Sequence, residues 1–161
     1  MNLFLLFLVN FFCWLLFHYL LSYICFKIPL SFFLKEHRLF TIAKWEKEGQ
    51  LWNRLFQVKK WKKHLIDGSS IVKHSYNKSH LHGTRQEALN EFSAETKRAE
   101  LTHWVLLLPA PLFFLWNPAW AAWLNVLYAV IANVPFIVTQ RYNRARLERA
   151  LKRQEMRKSR H

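Results

Sequence analysis

At 161 residues the chain has the length of one domain. It is 52% hydrophobic and 17% aromatic, yet 21% charged, with a net charge of +14. The apolar and charged residues fall in separate blocks, which excludes an ordinary water-soluble domain and points to an integral membrane protein.

Met1 to Phe26 carries no charged side chain. About 20 apolar residues, rising about 1.5 Å each, cross the hydrocarbon core, so residues 3–26 are predicted as a transmembrane helix. A cleaved signal peptide would open with positive charge and carry a shorter apolar run. This segment opens Met1-Asn2-Leu3-Phe4 and is read as a retained helix. His18 is expected to be a neutral imidazole packed against another helix. Cys13 and Cys25 would lie roughly 18 Å apart on one helix and cannot bridge each other. No CxxC spacing occurs, so a thiolate metal site is not expected.

Residues 27–103 are predicted as a cytoplasmic or interfacial segment. Its first half interleaves Trp45, Trp52, Phe56 and Trp61 with lysines and arginines. Trp45, Trp52, Leu55 and Phe56 recur at helical spacing, which predicts an amphipathic helix lying in the interface. The alternative is a basic cradle for a phosphorylated substrate such as coenzyme A. Asp67-Gly68-Ser69-Ser70 is a turn signal. His64, His74, His80 and His82 lack a carboxylate at ligand spacing, so no metal site is predicted.

Gln86 to Trp104 reads as a helix that runs directly into the next apolar block. At 100° per residue, Thr96, Glu100 and His103 fall within about 60° of one another. Glu100 and His103 are three apart and therefore neighbours on one face. A carboxylate beside an imidazole can fix its tautomer and raise its basicity. His103, oriented by Glu100, is thus a candidate base at the membrane edge; the alternative is a plain helix-surface pair. Glu95 and Arg98 form a second pair, read as structural.

Residues 104–140 are the second apolar block, broken by Pro109, Pro111 and Trp116-Asn117-Pro118. A membrane hairpin is predicted, with Val105 to Leu115 as its short limb and Ala119 to Thr139, kinked at Pro135, as its full span. A re-entrant half-helix is the alternative for the short limb. Residues 141–161 read as a basic cytoplasmic tail. Residues 27–103 hold fifteen Lys/Arg against eight Asp/Glu, and residues 141–161 hold nine against two. The N-terminus and the 116–120 turn hold neither Lys nor Arg. The positive-inside rule then places both basic segments in the cytoplasm, with an outside N-terminus and three crossings. A pI near 10.2 would also suit nucleic acid. No recognition motif accompanies the charge, so an anionic lipid surface is the expected partner and nucleic acid is not. The architecture expected is all-α: a small, multi-pass protein of the cell membrane, residues 1–161 forming one membrane-embedded domain.

Several stretches together resemble one family. They are Leu51-Trp52-Asn53, Lys59-Lys60-Trp61-Lys62, Ile66-Asp67-Gly68 and His80-Leu81. Glu95 to Leu101 with His103-Trp104, Ile131 to Pro135, and Gln140-Arg141-Tyr142-Asn143-Arg144 complete the set. In order and spacing, over roughly residues 30 to 150, they resemble the glycosyl-4,4'-diaponeurosporenoate acyltransferases of bacterial carotenoid synthesis. The resemblance implies the last step of staphyloxanthin-type pigment synthesis. A long-chain acyl group would be esterified to the C6 hydroxyl of a glucose already joined to a membrane-resident C30 carotenoid acid.

That reaction needs a base near neutral pH and donors for the oxyanion. His103 with Glu100 is the leading catalytic candidate, and His80 is the second base. Lys62, Arg98, Asn133, Arg141, Tyr142, Asn143 and Arg144 are the substrate-binding candidates. There is no GxSxG, and neither cysteine lies in a polar setting, so direct transfer is expected rather than an acyl-enzyme. No cofactor is expected; the long-chain acyl donor, acyl-CoA by expectation, is a co-substrate. Two other readings stand beside this one: an S-adenosylmethionine-dependent membrane methyltransferase, and a non-enzymatic membrane scaffold.

Overall fold

The computed structural model describes residues 2–61 and 85–158. The expectations at Lys62, at the Asp67 turn and at His64, His74, His80 and His82 lie outside the described residues. Every regular element among the described residues is helical. In chain order they are α1 (Leu3–Lys27), α2 (Leu30–Leu34), 3-10 turns at Arg38–Phe40 and Lys44–Gly49, α3 (Gln50–Phe56) and α4 (Val58–Trp61). Then come α5 (Arg85–Val105), a 3-10 helix at Ala110–Leu115 and α6 (Ala119–Lys158). Two helices are long and apolar enough to cross a membrane: α1, and Ala119–Arg149 within α6.

The chain divides into two compact units. The first comprises Met1–Pro29 and Glu100–Ile137; the second comprises Leu30–Ala99 and Val138–His161.

In the first unit, α1 starts where Asn2 Oδ1 accepts a hydrogen bond from the Phe4 amide at 3.1 Å, an ordinary N-cap. It stops at Ile28, held extended (φ −65°, ψ 124°) by the following Pro29. Little of its apolar surface is buried within the chain. Phe4, Phe7 and Phe26 each stand about two-thirds exposed, as side chains facing lipid would. The buried stripe centres on Trp14, which stacks on Phe113 at 4.8 Å and packs with Ala110 and Ala129.

Polar side chains lock this packing. Asn10 Nδ2 donates to Asn117 Oδ1 at 2.8 Å, and Asn117 Nδ2 donates back to Asn10 Oδ1 at 3.0 Å. Trp116 Nε1 donates to the same Asn10 oxygen at 2.9 Å. One level further, Trp14 Nε1 donates to Asn125 Oδ1 at 2.8 Å. His18 and the Tyr128 hydroxyl lie 3.3 Å apart, so His18 does pack against another helix. Interhelical hydrogen bonds of this kind hold helices together where lipid gives no hydrophobic drive.

The chain between His103 and Asn117 joins the level of Asn133 to the level of Asn10. It does so by the end of α5, a turn at 106–109 and the Ala110–Leu115 3-10 helix. The short hairpin limb therefore exists as a path but not as a regular helical span. Pro109 and Pro111 supply no amide hydrogen to an α-helical ladder. By contrast α6 continues as one helix through Pro135, from the apolar span into the basic tail.

In the second unit the buried apolar residues include Phe33, Phe40, Val58 and Ala94, with Val138, Ala145 and Leu147 from α6. The single amphipathic helix expected around Trp45 to Phe56 is instead two short pieces, and a third follows at Val58–Trp61. Gly49 breaks the first from the second at φ +84°, and Gln57 breaks the second from the third at φ +48°. Gly49 is required twice over. Its φ is left-handed, and a Cβ there would lie 2.8 Å from the Ala145 Cβ of α6.

Candidate active site

Each unit holds a polar cluster. In the first, α5 presents His103 to α6. His103 Nδ1 lies 2.9 Å from Asn133 Oδ1, and its ring stacks on Phe136 at 4.6 Å and 12°. Asn133 is 1% exposed. Its Nδ2 donates to the Ala129 carbonyl four residues back, at 2.9 Å. Burial, reinforced by nearby His18, pulls the His103 pKa below its ordinary 6.5 against the opposing Asn133 hydrogen bond. The imidazole is therefore neutral at pH 7 and able to act as a base.

The partner expected for His103 is Glu100; the hydrogen-bond partner that the structure gives the ring is Asn133. Glu100 is wholly buried, and its Oε1 accepts from Trp104 Nε1 at 3.3 Å. Three residues along one helix bring side chains near each other, but the imidazole is half-buried and turned across to α6. Thr96, on the same predicted face, is buried and donates from Oγ1 to the Ser93 carbonyl at 2.7 Å. Asn133 stands behind His103 with both polar ends engaged, sealed from the surface.

The second unit is organised on a residue outside the candidates named from the sequence. Glu46 is wholly buried. Its Oε1 accepts from the Ala43 amide at 2.9 Å and from Arg141 Nη2 at 2.5 Å. Its Oε2 accepts from Trp52 Nε1 at 2.5 Å and from Arg141 Nε at 3.0 Å. Arg141 thus grips the carboxylate with two nitrogens, the geometry at which guanidinium excels. Burial alone would raise the Glu46 pKa; the bonds from Arg141, Ala43 and Trp52 outweigh it and hold the carboxyl below its ordinary value. Arg141 also donates to the Thr41 carbonyl at 3.3 Å. Arg141, a candidate substrate anchor by sequence, joins α6 to the Lys44–Gly49 turn.

The other candidates fall as follows. Arg98 pairs with Glu95 at 3.4 Å, as expected, and its guanidinium lies 5.8 Å from the Phe33 ring centre. Arg144 is wholly buried, 5.9 Å from the Phe40 ring centre. Tyr142 is buried beneath Arg146, whose guanidinium lies 5.8 Å over its ring. Asn143 is half-buried on α6. His80 and Lys62 lie outside the described residues. Lys97 donates to the Phe33 and Lys35 carbonyls at 2.9 and 3.2 Å. Burial and the charge of Arg144 lower its pKa. It borders a cavity of about 740 Å³ also lined by His37, Phe40, Glu148 and Lys152. Among the described residues no group of three or more His, Cys, Asp or Glu is placed to hold a metal ion.

Two signals for the missed residues were present. Gly49 is one of three glycines in the chain, and it interrupts an otherwise helical pattern. Glu46 is an acid in a stretch dominated by cations and tryptophans.

The family model described as glycosyl-4,4'-diaponeurosporenoate acyltransferase matches residues 35–153. Curated relatives of that name from Staphylococcus aureus strains bovine RF122 / ET3-1 and MRSA252 are each 38% identical over 154 residues, covering 94% of this chain and 93% of theirs. The protein of that name from strain USA300 is 37% identical over the same coverage. No solved structure matches the chain. The chain belongs to the glycosyl-4,4'-diaponeurosporenoate acyltransferase family.

Proposed function

We propose that this chain moves a long-chain acyl group onto the C6 hydroxyl of the glucose in a glycosylated C30 carotenoid acid, completing a staphyloxanthin-type pigment at the membrane. Beyond family membership, one observation carries this reading. His103 is tied through Nδ1 and stacked on Phe136, while its Nε2 makes no hydrogen bond to a described residue. A half-buried neutral imidazole held in this way suits general-base work.

The donor in this proposal is a long-chain acyl thioester, coenzyme A carrying the acyl group. The glucose hydroxyl gives its proton to His103 Nε2 as its oxygen bonds to the acyl carbonyl carbon. The carbon–sulfur bond then breaks, and the imidazolium returns the proton to the departing thiolate. Three crossings with the basic segments on the cytoplasmic side belong to the same proposal; the two helices long and apolar enough to cross a membrane support its membrane setting.

The test is acyl transfer by the full chain in lipid, supplied with glucosylated C30 carotenoic acid and palmitoyl-CoA and read by mass spectrometry. A new ester with the added acyl mass is expected. His103→Gln should lower its rate by roughly 10²-fold or more, the scale of general-base catalysis. A loss below about tenfold overturns the base assignment. If folded protein makes no product with acyl-CoA, acyl carrier protein or phospholipid donors, the acceptor assignment fails.

A further inference from the structure

Three asparagines of the first unit use their amides in the same way. Asn117, Asn125 and Asn133 each donate from Nδ2 to the carbonyl four residues back, Phe113, Ala121 and Ala129, all at 2.9 Å. That bond fixes which end of each amide is nitrogen. The oxygen then faces a neighbour that must donate. For Asn125 the neighbour is the Trp14 indole, which can only donate. For Asn117 it is the Asn10 amide nitrogen. For Asn133 it is His103 Nδ1.

The geometry points to Asn133 as a positioning residue that dictates the tautomer of His103, with the proton on Nδ1 and the lone pair on Nε2. A neutral imidazole with the opposite tautomer would set two lone pairs against each other across 2.9 Å in a buried contact. The Phe136 stack limits rotation of the ring away from Asn133. Asn133 therefore acts through His103 and needs no access to substrate, which agrees with its burial. This inference rests on the base role proposed for His103 only for its catalytic consequence, not for the tautomer itself.

Among the described residues, His18 on α1 is the ionisable group that acts on the charge of the ring. His18 and Tyr128 face each other, and Glu100 accepts from Trp104.

The test is nitrogen-15 NMR of the full chain in lipid bilayers, with labelled histidine and the His103 signals assigned by their loss in His103→Gln. At neutral pH a protonated Nδ1 and a bare Nε2 are expected at His103. A bare Nδ1 in the unsubstituted protein overturns the inference outright, whatever the activity. In the acyl-transfer assay Asn133→Leu should lower kcat roughly tenfold or more with little change in KM. Asn133→Asp keeps an acceptor at Oδ and should restore much of the rate, while moving the acidic limb of the pH profile upward. Equal loss in both variants, with no shift of that limb, also overturns the positioning role. Nδ1 protonation without any acyl transfer would leave the tautomer standing and defeat the proposed reaction instead.

Discussion

Asn133 Oδ1 and His103 Nδ1 meet at 2.9 Å across two helices, thirty residues apart in the chain. Burial depresses the imidazole pKa more than the Asn133 bond raises it. The base form is the neutral one, so activity should be full near pH 7 and fall as pH drops through a value below the ordinary 6.5. The pH dependence of kcat/KM checks this: an acidic limb above 6.5 would contradict the burial of the ring.

Glu46 and Arg141 should contribute strongly to folding. Glu46→Ala leaves the Arg141 guanidinium, 13% exposed, without its carboxylate. Breaking such a buried pair costs about 3–5 kcal/mol. Thermal unfolding of the protein in lipid or detergent measures it, and a loss under about 1 kcal/mol would place the pair among weak surface bridges.

The same carboxylate predicts a pH signature. Its folded pKa lies below the ordinary 4.5. As pH falls from that value the unfolded chain takes up the proton first, so the stabilisation is present above 4.5 and lost as pH falls through the lower folded pKa. The melting temperature of the parent protein should drop over that window, and Glu46→Gln should flatten this part of the curve.

Gly49→Ala combines two penalties: a left-handed φ of +84° and a 2.8 Å contact with Ala145 Cβ. Strain and overpacking together should cost about 1–3 kcal/mol. Adding Ala145→Gly removes the contact but not the backbone strain, so the double variant should recover only part of the loss.

Trp14→Phe retains the ring packed on Phe113 but removes the donor that Asn125 Oδ1 has among the described residues. Interhelical hydrogen bonds within membranes average about 0.6 kcal/mol and reach about 1.7 kcal/mol. The burial of Asn125 favours the upper half of that range. Unfolding in mixed micelles, compared with Asn125→Ala and the double variant, isolates the coupling between the two side chains.

Local pattern made much of this molecule legible. Residues 3–26 are predicted as a helix and α1 spans Leu3–Lys27; Gln86 to Trp104 is predicted and α5 spans Arg85–Val105. Both rest on one unbroken run of apolar or helical periodicity. The Glu95–Arg98 pair was equally local. What escaped was tertiary. Glu46 and Arg141 are 95 residues apart, and nothing in the spacing of either predicts the other. Glu100 is a neighbour of His103 that helical periodicity predicts, whereas Asn133 arrives from another helix. The tryptophan-rich stretch misled in a different way. Its apolar spacing is helical, but the left-handed Gly49 divides it and the left-handed Gln57 ends it.

The repeated asparagine geometry also bears on how the chain enters a bilayer. In Asn125 and Asn133 the amide hydrogens bond within α6 itself, so half of each polar group is shielded from lipid before any other helix arrives. Insertion of α6 can then precede assembly. Each remaining oxygen acts as an address label for one incoming donor, the Trp14 indole or the His103 imidazole. A helix that mis-docked by a turn would leave those labels unread in hydrocarbon, so the same amides that hold the first unit together also set the register in which it can form.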